Sequence, residues 1–181
     1  TAQTTLLIKA GCFDSVAGEL TRPALIWRLF ADQSGKPVGY LPIPTEYSTQ
    51  QKLAHEFELF GFPLSGHPLD LFTEVPAGLS TLPARDLAQH IGKEVTLLGW
   101  LVTEKVVSTK KGEPMEFVTF EDRTGLYDAT FFPNTYRRYG HLLASNQAYL
   151  VTGRVEEHFA TVTVTVSRFR PLSAPDAEET L

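Results

Sequence analysis

KEVTLLGWLVTEKVVSTKKGEPMEFVTFEDRTGLYDATFFPNTYRRYGHLLASNQAYLVTGRVEEHFATVTVTVSRFRPL, residues 93–172, is the stretch whose reading decides the fold. Val95 to Val107 is rich in β-branched and apolar residues and predicts a long first strand. Ser108 to Pro114 is polar, with Gly112 and Pro114 as breakers, and reads as a hairpin loop. Met115 to Glu121 predicts a second strand. The turn Asp122 to Gly125 leads to a third, Leu126 to Phe132. Pro133 opens a helical segment running to Ala144, since proline suits the first turn of a helix. Ala148 to Glu156 predicts a fourth strand. Glu157 to Phe159 turns the chain, and Ala160 to Arg170 alternates Thr and Val as a fifth.

Three strands, a short helix and two strands is the order of an OB-fold, a small Greek-key barrel. Closure removes exposed sheet edges, which suits so much β-branched sequence. Such barrels often hold single-stranded nucleic acid on a basic groove with stacking aromatics. Fold alone does not settle function, and a barrel used for protein contact fits the same pattern.

The flanking sequence is helical in character, so the whole chain reads as α+β. A helical part, residues 1–92, precedes the barrel at 93–172, and an acidic tail, 173–181, is expected to be disordered. Thr5 to Lys9 predicts a helix ended by Gly11. Thr21 is an N-cap candidate for a helix from Arg22 to Asp32, with Leu25, Ile26, Leu29 and Phe30 on one face. Gln33 to Pro44 reads as an extended linker. A helix is expected from Glu46 to Phe60, with Leu53, Phe57 and Phe60 inward and Lys52, Glu56 and Glu58 in water. Pro83 to Ile91 predicts a short helix ended by Gly92.

Across 181 residues, 43% are hydrophobic and 20% charged, as expected for a globular protein. No apolar run reaches the roughly 20 residues that span a membrane. The first residue is Thr1, which reads as the start of a processed or excised piece, and a cytoplasmic address is expected. Cys12 stands alone, so no intrachain disulfide forms. It reads as a small buried apolar side chain. Net charge is −5, against a protein that coats nucleic acid unaided. The charge is uneven. Residues 1–92 hold six basic and nine acidic side chains, 93–170 ten and nine, and the remainder none and three.

Phosphoryl transfer needs clustered carboxylates that hold two metal ions. Glu121 and Asp122 are adjacent, so on a strand they point to opposite faces; this pair reads as a turn. His55, His67, His90, His141 and His158 are scattered without metal-ligand spacing. No metal or other cofactor is expected, and no nucleophile–base set is visible. His67 is expected to hydrogen-bond backbone.

Three stretches together resemble the C-terminal part of the bacterial replicative DNA polymerase III alpha subunit. One is LIKAGCFD, residues 7–14, similar to the close of that family's helix-hairpin-helix region. Another is EFELFGFPLSGHPLD, residues 56–70, similar to its glutamate-rich helix and the loop after it. The last is the barrel, with TKKG at 109–112, FVTFEDRTG at 117–125 and FFP at 131–133. The wording TFFP and YRRY is closer to a divergent or accessory branch. The resemblance implies that the metal-binding palm carboxylates and the phosphoesterase-like domain lie upstream of residue 1, so this piece is not itself an enzyme. It implies the rest of the polymerase chain, single-stranded DNA, the sliding clamp and clamp-loader subunits as partners. The family's clamp peptide is roughly Gln-x-x-Leu-Phe. Here IWRLF, residues 26–30, keeps Leu29 and Phe30, which would fill an apolar pocket, while Ile26 replaces the anchoring Gln. The same residues also make a core stripe.

Candidate nucleic-acid contacts are Lys110 and Lys111, on the loop between strands one and two. Lys105, Arg137, Arg138, Arg154 and Arg168 are expected to extend the groove. Phe117 is the stacking candidate, because it lies on the face opposite Val118 and Phe120. The alternative is a scaffold that joins the polymerase to clamp or clamp-loader subunits.

Overall fold

The computed structural model describes residues 2–34, 44–72, 80–158 and 160–172. The expected tail and most of the expected linker lie outside them. Two compact units divide between Leu71 and Phe72, earlier than the change of period at Gly92. The reason is packing: Ala84 and Leu87, from the 3₁₀ turn Ala84–His90, belong to the barrel core. Leu82 N–H donates to Thr96 O at 2.8 Å, and Gly92, at φ 83°, donates to Val155 O at 2.8 Å. The segment before the first strand is therefore part of the barrel's own fabric.

In the first unit, α1 spans Ala2–Lys9, α2 Arg22–Ser34 and α3 Thr49–Phe60. Thr21 caps α2 as expected, its hydroxyl accepting from Ala24 N–H at 3.2 Å. Arg22 is buried and grips Asp14 at 2.7 Å and Lys9 O at 2.9 Å, tying the turn after α1 to α2. Helix α3 starts at Thr49 rather than at Glu46. Ser48 and Gln51 form a capping box, each bonding the other's backbone N–H. Glu46 instead accepts from Arg22 N–H at 3.2 Å and Tyr47 N–H at 2.7 Å.

Cys12 is exposed, not buried. It follows Gly11, whose φ of 82° ends the helical path, so it has no helix face to pack. The α2 stripe is also incomplete. Leu25, Ile26 and Leu29 are half-buried, but Phe30 is 51% and Trp27 49% exposed.

The second unit is a closed five-stranded barrel in the order β1-β2-β3-β5-β4. Its strands are β1 Glu94–Ser108, β2 Pro114–Asp122, β3 Gly125–Phe131, β4 Ala148–His158 and β5 Thr161–Pro171. The barrel is an OB-fold. Closure depends on β1 having two partners. Its first half, Glu94 to Trp100, pairs with β4, and its second half, Trp100 to Ser108, pairs with β2. A bulge between Leu101 and Thr103 lies at the changeover, where extra twist bends a strand. Gly99 is needed beside it, because a Cβ there would overlap the Tyr127 hydroxyl and Phe120. Parallel pairing of β3 with β5 completes the ring.

Inward residues follow the pleat. Phe120 and Tyr127 stack at 5.6 Å, Tyr149 and Phe169 at 4.5 Å, and Phe131 meets Phe169 edge-on at 5.0 Å. Such pairs contribute about 0.5–1.5 kcal/mol each beyond area burial. Between β3 and β4, α4 covers Pro133–Tyr139, with proline at its start as expected, followed by a 3₁₀ turn Gly140–Leu142. Tyr136, Tyr139, Leu142 and Leu143 pack against the core.

Candidate nucleic-acid interface

Lys105 on β1 pairs with Phe117 on β2, which pairs with Thr130 on β3. Paired residues share a face. Lys105, Phe117 and Thr130 thus form one row on the outside of the wall built by the second half of β1 with β2 and β3. Alternation sends Val118 and Phe120 inward, 1% and 0% exposed, and leaves Phe117 47% exposed. Lys110 and Lys111 are exposed on the loop that joins β1 to β2. That loop is ordered by Thr109. Its hydroxyl accepts from Lys111 N–H at 3.3 Å and Glu113 N–H at 3.2 Å, while its N–H donates to Glu113 O at 2.8 Å. Gly112, at φ 79°, supplies the left-handed step such a turn needs.

Lys105, Lys110 and Lys111 make no ion pair among the described residues. The arginines of the candidate set are placed differently. Arg137 on α4 lies 2.6 Å from Glu113, which pins α4 to the β1–β2 loop. Arg138 stands 5.0 Å over the Tyr139 ring. Arg168 lies 2.9 Å from Glu94 on the wall formed by β4, β5 and the first half of β1. Arg154 faces Glu94 across β1 and β4 in the same wall. The structure therefore brings Lys105, Lys110, Lys111, Phe117 and Arg137 together and sets Arg154 and Arg168 apart.

Two features escaped sequence reasoning. Phe132, 45% exposed, is the N-cap residue of α4 and directly follows β3. Glu116 pairs with Val106 and Phe131 and is only 4% exposed. Burial, with Glu104 adding like charge, pushes its carboxyl up to about 7. Among the described residues its Oε2 has no hydrogen-bond partner. Strict alternation could have flagged Glu116 as inward-facing, one step from Phe117.

The family described as OB-fold nucleic acid binding domain matches residues 95–172. A DNA polymerase III subunit alpha from Saccharopolyspora erythraea is 28% identical over 152 residues, 81% of this chain and 13% of that protein. An error-prone DNA polymerase from Symbiobacterium thermophilum is 30% identical over 143 residues, 77% of this chain and 13% of that protein. The chain resembles bacterial DNA polymerase III alpha subunits. It spans only about 13% of the length of these relatives. A solved domain of replication protein A from Methanococcus maripaludis is similar with a TM-score of 0.43 at 13% identity, over 51% of this chain and 94% of that one.

The polymerase-like stretch 56–70 has its own geometry. Glu56 is 2% exposed rather than in water. The chain folds back after α3, and Glu56 accepts from Leu64 N–H at 2.7 Å, Ser65 N–H at 2.9 Å and Ser65 Oγ at 2.8 Å. Burial opposes ionisation, but these bonds outweigh it and hold the carboxyl below its usual value. His67 bonds backbone as expected, Nδ1 accepting from Leu69 N–H at 3.1 Å.

Asp122 is buried and closes a turn, accepting from Thr124 N–H at 2.6 Å, Gly125 N–H at 3.0 Å and Ala84 N–H at 2.7 Å. Among the described residues no group of three His, Cys, Asp or Glu could hold a metal ion. Among them also, no helix is long and apolar enough to cross a membrane.

Proposed function

We propose that the barrel binds single-stranded DNA as a non-catalytic template-holding module of a bacterial replicative DNA polymerase alpha subunit in the cytoplasm, working with the rest of the polymerase chain. One observation carries this reading: exposed Phe117 in register with unpaired Lys105, beside a loop bearing Lys110 and Lys111. A phenyl face stacks on any base, and ammonium groups track phosphates without reading sequence. The family match over residues 95–172 supports a nucleic-acid role. Arg137 acts by holding α4 to the loop, while Arg138, Arg154 and Arg168 extend the positive surface. The test is fluorescence anisotropy of the whole chain with labelled single strands at several salt concentrations. Binding that weakens as salt rises is expected. No measurable binding at low salt would overturn the reading.

A second reading is supported by α2. Phe30 and Trp27 are exposed on the helix that carries the Leu29–Phe30 pair. We propose that this face docks on the sliding clamp or a clamp-loader subunit. Leu29→Ala with Phe30→Ala should then abolish binding to purified clamp; unchanged binding, or none by wild type, removes that reading for the clamp.

A further inference from the structure

Phe132 is 45% exposed just past the end of β3. Phe131, the last residue of β3, is 0% exposed in the core. The backbone stays extended at Phe132, φ −63° and ψ 162°, and its ring is exposed. Phe117 pairs with Thr130. Phe132, two residues on and one past the last paired residue, Phe131, is the next exposed ring after Phe117 at this end of the wall. Thr130, which pairs with Phe117, is only 6% exposed. The ion pair of Arg137 with Glu113 holds α4, and hence its N-cap Phe132, against the lysine-bearing loop.

We propose that Phe117 and Phe132 are paired stacking platforms for two bases of one single strand, whose phosphates run along Lys105 and the Lys110–Lys111 loop. This rests on the reading of the barrel as a single-strand DNA module and specifies its ligand. Charge favours nucleic acid over an apolar protein surface. The three lysines bordering the rings have no acidic partner among the described residues, and Arg137 offsets Glu113. Asp128 lies on the same face but nearer the β2–β3 turn, and accepts the Thr119 hydroxyl at 2.7 Å. Stacking needs an open base face, so unpaired strands fit and duplex, whose bases already stack, does not. Contact through π-faces tolerates any base.

The experiment measures binding of a labelled oligothymidylate by the whole chain, with Phe132→Ala, Phe132→Leu, Phe132→Tyr and Phe117→Ala. Phe132→Leu keeps an apolar side chain at the start of α4 but removes the ring, so a fold defect is separable by its melting curve. Phe132→Ala and Phe132→Leu should each weaken binding about 5- to 150-fold, with the salt slope unchanged. Phe132→Tyr should bind like wild type, and unlabelled duplex should compete poorly. If Phe132→Leu melts and binds like wild type while Phe117→Ala is weakened, Phe132 only packs and the inference falls, with the single-strand reading intact. Duplex competing as well as single strand also overturns it. If wild type does not bind at low salt, the single-strand reading falls first and this inference with it.

Discussion

On the wall made by the second half of β1 with β2 and β3, Lys105, Lys110 and Lys111 stand without acidic partners among the described residues, beside two exposed phenyl rings. On the wall made by the first half of β1 with β4 and β5, Arg168 is held at 2.9 Å by Glu94, and Thr96 and Thr152 share a hydroxyl–hydroxyl bond at 3.0 Å. A groove of about 480 Å³ runs there past Arg168 and Arg170, and of its two aromatic residues Phe169 is 5% exposed and Tyr139 is half-buried. Both walls hold cations, and the two exposed phenyl rings, Phe117 and Phe132, lie with the cations of the first. Positive charge by itself draws any polyanion weakly; charge beside an unroofed ring selects strands with unstacked bases.

The two walls share one frame, so the largest effect comes from breaking it. At the β4–β5 bulge, between Thr152 and Gly153, a Cβ on Gly153 would overlap the Thr165 carbonyl oxygen. Backbone cannot swing aside as a side chain can. Gly153→Ala should cost about 1–3 kcal/mol or more, and single-strand binding should fall only as far as the folded fraction does. A melting temperature equal to wild type would show that the bulge is not tightly packed.

Within a folded barrel, the first wall should dominate binding. Phe117→Ala should cost about 1–3 kcal/mol with little change in salt dependence. Lys110→Ala with Lys111→Ala should weaken different sequences about equally and lower the salt slope by roughly 0.7 for each phosphate no longer neutralised. Anisotropy titrations at several salt concentrations read both. A double variant with unaltered affinity and slope would make the loop a solvated turn.

A pH test probes the inner side of that first wall. The Glu116 carboxyl is raised to about 7 in the fold, above its ordinary value of 4.5. The folded state therefore holds the proton more tightly than the unfolded chain. That contribution to stability is fully present below about pH 4.5 and is lost as pH rises through about 7. The melting temperature should fall between pH 5 and pH 8, and Glu116→Gln should flatten this part of the profile. Identical profiles for the two proteins would show that Glu116 is well hydrated.

The smallest effect is expected on the second wall. Arg168→Ala removes an exposed ion pair of about 0.2–1 kcal/mol at most, and should weaken DNA binding less than the loop variant does. Equal weakening would mean that the strand wraps both walls.

Much of the fold is legible in the chain. The strand order follows from β-branched runs broken at Gly112, Pro114 and Gly125, and α4 from Pro133, because these signals are local. Phe117 is legible for the same reason: pleating alone sets it opposite Val118 and Phe120. Glu56 was not legible, since a carboxylate at a helical position looks wet until the chain folds back and offers the N–H groups of Leu64 and Ser65. Nor was the early unit division, because Leu87 joins the barrel core only through contacts distant in sequence.

Periods, breaks and the residues able to carry charge or stack are all written in the chain. Which cations stay free and which are bound to carboxylates follows from the folded arrangement instead. Glu94 and Arg168 are far apart along the chain, as are Glu113 and Arg137, and ring closure sets them within 3 Å. It also decided that Phe132 stands beside Phe117, because that neighbourhood depends on the register of β2 against β3. Register is a property of paired strands, and one residue of slip would turn either ring into the core.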